Sequence, residues 1–170
     1  MRRVPLLVIL LIAACSPALD WREVRPEGTG LALLLPCRPQ RQVREVELGA
    51  QRVRLALQSC SAGEQTWALG AADVEDPARV GPALRALHGA ALVNVGASAD
   101  TSLAFDVPGA TPNDASRRVA FEGHLPDGRP VREQVAVFTR GTQVFQATVV
   151  GTRLSDEGVE TFFGSLRFGS

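Results

Sequence analysis

The chain has no lysine and no tyrosine, so all 18 of its basic residues are arginines. Without lysine, Schiff-base and lysine-nucleophile chemistry is excluded. Histidine is nearly absent as well, with only His88 and His124. There is no surplus of positive charge: 18 basic residues face 18 acidic ones, which gives no electrostatic reason to bind nucleic acid. Several motifs are missing too. No C-x-x-C pair, no dinucleotide-type G-x-G-x-x-G after Gly28-Thr29-Gly30 and no spaced calcium loop occurs. The nearest approach to a nucleophile elbow, Gly96-Ala97-Ser98-Ala99-Asp100, ends in aspartate rather than glycine. The one long apolar run, Val4 to Ala14, falls well short of the roughly 20 residues a membrane-spanning helix needs.

That run is nevertheless informative. Met1-Arg2-Arg3 is a short basic start, Val4 to Ile12 is almost wholly apolar, and small Ala13 and Ala14 follow. Basic start, short apolar stretch and small residues in that order read as an export signal over residues 1–14. Pro17 and Asp20-Trp21-Arg22 end any apolar continuation. The closing tetrad Ile12-Ala13-Ala14-Cys15 resembles the lipobox of bacterial lipoproteins. The resemblance implies cleavage before Cys15, acylation of that cysteine, and residues 15–27 as a lipidated tether. More than one acyl chain is needed for stable anchoring, and such lipoproteins carry several. A non-acidic residue after the cysteine, here Ser16, implies the outer membrane and the periplasmic face of the cell envelope. Ordinary cleavage after Ala18, giving a soluble periplasmic product, is the alternative reading of the same stretch. Cleavage before Cys15 also removes Arg2 and Arg3, leaving 16 basic residues against 18 acidic ones, a net charge of −2.

With Cys15 assigned to the anchor, Cys37 and Cys60 remain as an even pair in an exported chain. A disulfide is the default for such a pair. Closing that loop stabilises by about 3 kcal/mol in the chain-entropy model. No histidine lies near either cysteine in sequence, which disfavours a metal site.

The remainder, residues 28–170, has the length of one domain. Gly30 to Pro36 is an apolar run bounded by glycine and proline, hence a buried strand. Gln42–Leu48 and Arg52–Ser59 flank Gly49-Ala50, a two-residue hairpin connection, and Thr66–Val74 continues the meander. Asp76 before Pro77 is a helix start. Val80, Leu84, Leu87 and Ala91 then form one apolar face, with Gly81, Pro82 and Gly89 expected to disturb the first turn. Residues 96–116 read as a surface excursion with a short strand at Leu103–Val107. A second meander follows: Arg117–Gly123, a turn at 125–128, Pro130–Thr139, and Gln143–Gly151 with Phe145, Ala147 and Val149 on one face. Ser155 caps a final helix whose Val159, Phe162, Phe163 and Leu166 form a core-facing stripe, and Arg167-Phe168 adds an edge strand. The expected class is therefore α+β, a mostly antiparallel sheet built from two meanders with two helices packed against it.

Two segments carry a further likeness. Gly30 to Pro39, ending in Pro36-Cys37-Arg38-Pro39, and Gln143–Gly151 followed by Phe162-Phe163-Gly164-Ser165-Leu166 resemble the opening and closing segments of exported domains of PsbP-like fold. That resemblance implies an antiparallel sheet with helices on its faces. The chain is also similar to uncharacterised proteobacterial lipoproteins, a likeness that implies an address and a fold and no activity.

The candidate chemical residues read mostly as structural. His88 sits near the edge of the helix's apolar face, and His124 adjoins the 125–128 turn and faces solvent. Asp73, Glu75 and Asp76 read as a helix-capping cluster rather than a calcium site. Ser165 belongs to the last core helix. Arg52/Arg54 and Arg117/Arg118 read as wet faces of strands, unless they converge in space to form an anion pocket. No cofactor, metal or catalytic set is expected. The functional expectation is a lipid-anchored, non-enzymatic binding or accessory domain of the envelope, with a membrane contact through its anchor and a protein partner. The alternative is a carrier or sensor of a small apolar ligand held between sheet and helices.

Overall fold

A computed structural model describes residues 19–169. In chain order the elements are β1 (Arg22–Val24), β2 (Leu31–Leu35), β3 (Gln40–Leu48), β4 (Gln51–Ala62), β5 (Gln65–Asp73), α1 (Pro77–Asn94), β6 (Thr101–Leu103), β7 (Arg117–His124), β8 (Pro130–Arg140), β9 (Gln143–Gly151), α2 (Asp156–Gly164) and β10 (Arg167–Phe168). The class is α+β, as the alternation of hairpins and amphipathic segments implies. A seven-stranded sheet runs β3-β4-β5-β9-β8-β7-β6, and a three-stranded one runs β1-β2-β10. Every strand pair in both is antiparallel. No helix among the described residues is long and apolar enough to cross a membrane.

Strand alternation divides the interior into two cores. In β9, Phe145, Ala147 and Val149 face one cluster while Val144 faces the other, the period of two that a pleated strand imposes. The first core holds the small sheet and α2 against the large sheet: Leu31, Leu33, Leu35, Trp67, Phe138, Phe145, Val159 and Phe162 meet there. Its aromatic rings interlock edge to face, Trp67 with Phe162 at 5.5 Å between centroids and Phe162 with Phe163 at 5.0 Å. The second core lies under α1, through Val80, Ala83, Leu84, Leu87 and Ala91.

Local signals account for the helix ends. Asp76 accepts from the Ala78 amide at the start of α1, and Ser155 accepts from the Gly158 amide at the start of α2. Contrary to the expected irregular first turn, α1 runs unbroken through Gly81, Pro82 and Gly89. Proline within a helix removes one hydrogen bond, and burial of the five core-facing residues offsets that loss. At its far end α1 comes so close to β7 that only glycine fits: a Cβ on Gly123 would stand 2.1 Å from the Val95 carbonyl oxygen. The His124 amide donates to that same oxygen at 2.7 Å.

Three further expectations need correction. Within the expected 15–27 tether, Arg22–Val24 form β1, paired with Leu33–Leu35, because Val24 enters the first core and Trp21 packs edge-on against Trp67 at 5.7 Å. The short strand expected at Leu103–Val107 lies earlier, at Thr101–Leu103. After Leu103 the chain leaves the sheet to bring Phe105 and Val107 to the first core; their alternation with polar residues mimics a strand. Arg118, expected on a wet strand face, is 6% exposed, for reasons given below.

Candidate functional site

The cysteine pair is a disulfide: Cys37 and Cys60 are joined, 23 residues apart in sequence. Cys37 follows β2 and Cys60 lies opposite Trp67 in the large sheet, so the bond ties the small sheet to the large one. Cys15, the expected lipid attachment point, lies outside the described residues.

The four arginines do not converge. Arg52 and Arg54 are on β4, Arg117 and Arg118 on β7, with β5, β9 and β8 between them, a separation of about 19 Å at normal strand spacing. Arg118 instead points into the α2 side. Its guanidinium donates to Gln134 Oε1 at 2.8 Å and Glu160 Oε1 at 2.5 Å and lies 4.2 Å from the centre of the Phe163 ring. Those donors hold the exposed Glu160 carboxyl below its usual range. This is a bridge between β7, β8 and α2 rather than an anion pocket.

His88 has a partner that sequence reasoning did not find. Its Nε2 lies 2.6 Å from Asp100 Oδ2, with both side chains largely shielded. An aspartate that orients an imidazole is two thirds of a hydrolytic triad. The third part is lacking: among the described residues no serine, threonine or cysteine bonds His88. Asp100 borders an open hollow of about 410 Å³, whose lining does not include His88. His124 is exposed and lines a separate open hollow of about 660 Å³ with Arg132 and Arg153. Of the acidic cluster, Asp73 accepts from the Glu75 amide and Asp76 caps α1, so both are engaged in shaping the turn. Ser165 bonds back to Phe162 and receives the Leu34 amide at 2.8 Å. No group of three or more histidine, cysteine or acidic side chains is placed to hold a metal ion among the described residues.

Two polar features stand out against this background. Glu133 is 6% exposed on the α1 side of β8. It borders a small hollow of about 210 Å³ with Leu57, Val150 and Thr148, and burial pushes its carboxyl up to about 7. On the opposite face of the sheet, a hollow of about 590 Å³ opens beside the β3–β4 ribbon. Its floor is Leu69 and Ala71, one wall is the 26–29 loop, and Arg41, Arg54 and Val43 stand at its ribbon side. Gln58 within it is 7% exposed, and its Oε1 has no hydrogen-bond partner among the described residues. Neither arginine has a carboxylate within 4.0 Å among the described residues. Only the alternation of Arg41, Val43 and Glu45 along one strand face could have signalled this in sequence.

Among the described residues these features present open hollows and no assembled set of nucleophile, base and acid. Compared with known proteins, the chain matches no family model, and no curated protein matches it either.

Proposed function

We propose that this chain is a lipid-anchored domain of the bacterial cell envelope, held by Cys15 on the periplasmic face of the outer membrane, and that it acts as a non-enzymatic binding or accessory protein. The observation that carries the reading is the Cys37–Cys60 disulfide, a bond that persists in oxidising compartments and is rare in the cytosol. It accords with the export signal and leaves Cys15 as the only remaining cysteine. Two cores of buried side chains, one on each face of the sheet, favour binding at the surface over enclosure of a ligand. A seven-stranded antiparallel sheet with a helix packed on each face supports a PsbP-like assignment, with β3–β5 and β7–β9 as its two meanders. The test is incorporation of labelled palmitate by the full chain and by Cys15→Ala. Label in the first and none in the second is expected; equal label in both refutes the anchor.

The second reading, a carrier of a small apolar ligand, has one observation in its favour: the apolar floor of the 590 Å³ hollow. Native mass spectrometry of the purified chain tests it. A bound lipid-sized mass lost on Ala71→Arg would support a carrier, and a bare protein mass would not.

A further inference from the structure

The seven-stranded sheet ends in two very different edges. At one end β6 is three residues long. At the other, β3 offers nine residues, all paired with β4 on one side and, among the described residues, with no strand on the other. Residues 40–45 of β3 are exposed, and no proline interrupts it. An edge of this kind is a template for another strand unless its side chains forbid pairing.

We propose that β3 pairs antiparallel with β3 of a second copy of this chain, about a two-fold axis through Val43. The side chains specify this partner. Antiparallel pairing about an axis normal to the sheet keeps each face on its own side, so only registers that set odd residues against odd and even against even are allowed. Centring on Val43 places Arg41 opposite the second copy's Glu45, twice by symmetry, with the two Val43 side chains between them. On the other face Gln42 meets Arg44, again twice. Val43 is 58% exposed in the single chain, one of two large apolar side chains left so open among the described residues. Arg41 and Glu45 both lack an oppositely charged partner within 4.0 Å among the described residues. The neighbouring registers are less favourable: centring on Gln42 sets Arg41 against Val43 and Gln40 against Arg44 and forms no ion pair. Centring on Arg44 sets arginine against arginine, and centring on Glu45 sets glutamate against glutamate, like charges that destabilise a strand pair. Charges on an edge strand ordinarily repel other strands; these are spaced so that they complement a second copy of the same strand. The pairing joins two seven-stranded sheets into one, and it requires neither the lipid anchor nor a ligand.

The test uses the full chain in the cells that express it, oxidised and run on a non-reducing gel. Val43→Cys should give a reducible dimer, because opposed Cβ atoms in such a pair lie about 4.5–5.5 Å apart, close to disulfide reach. Arg44→Cys is the control, since its diagonal distance to its own copy is about 7–8 Å; the other cysteines are common to both variants. Adding Glu45→Arg to Val43→Cys should reduce cross-linking about tenfold by opposing like charges. Adding Arg41→Glu as well should restore it. Equal dimer from Val43→Cys and Arg44→Cys, or no recovery in the double charge reversal, would overturn the proposal.

Discussion

Raising the pH from 4.5 to 8 should weaken this fold through one side chain. Glu133 is held on the inner side of β8, where burial lifts its carboxyl from 4.5 to about 7. The unfolded chain releases this proton near pH 4.5, while the folded chain keeps it until near pH 7. Below 4.5 both states are protonated and burial of the neutral acid is at its most favourable. Between 4.5 and 7 the unfolded state binds fewer protons than the folded one, so stability falls with pH. It levels off above 7. At 1.36 kcal/mol per pH unit, the gap amounts to about 3 kcal/mol. Glu133→Gln keeps the shape and removes the charge, so it should match wild type at pH 4 and exceed it by about 3 kcal/mol at pH 8. Urea denaturation of both proteins at intervals across this range gives the difference directly. Carboxylates held low by arginine, such as Glu23 and Glu160, weaken the fold in the opposite direction, on acidification; they cancel in that difference. A difference that stays constant from pH 4 to pH 8 would refute the account.

Other substitutions probe the rest of the framework. Gly123→Ala drives a methyl group against the Val95 carbonyl oxygen and should cost about 3 kcal/mol or more, an overpacking effect against rigid backbone; a melting temperature within a degree of wild type would contradict the close approach. Replacing both Cys37 and Cys60 by alanine should lower stability by about 3 kcal/mol in the chain-entropy model, measurable by urea denaturation as a shift of midpoint. Arg118→Met should destabilise by about 2–4 kcal/mol, because it leaves Gln134 without its donor and Phe163 without its cation. Glu160→Gln, which removes the exposed member of the pair, should cost under about 1 kcal/mol, and equal losses in the two variants would show that the bridge has been misread.

Much of this architecture is legible in the residues because burial imposes a period. Phe145, Ala147 and Val149 alternate with polar residues in β9, and the stripe of Val159, Phe162 and Phe163 repeats at helical spacing; both faces are buried as expected. Asp76-Pro77 and Ser155 mark helix starts through local hydrogen bonds that need no distant partner. What escapes sequence reading depends on distant contacts. Arg22–Val24 is too short to show a period, and its pairing is set by β2. Phe105 and Val107 alternate like a strand, yet they are buried by a core that forms only after the chain has left the sheet. Arg118 and Glu133 look like ordinary charged residues on strands. Burial of the one is made possible by Glu160, 42 residues away, and burial of the other by its place on the inner side of β8 beneath α1.

The Cys37–Cys60 bond has a mechanical consequence. Both ends of the described chain enter the small sheet, through β1 and β10, which flank β2. A pull on the N-terminus would load β1 first and then β2. At Cys37 the force would pass through the disulfide to Cys60, bypassing residues 38–59. That bypassed loop contains the whole of β3, so the exposed edge would keep its shape while the segments around it carried the tension. Reduction of the bond would put the edge in series with the load.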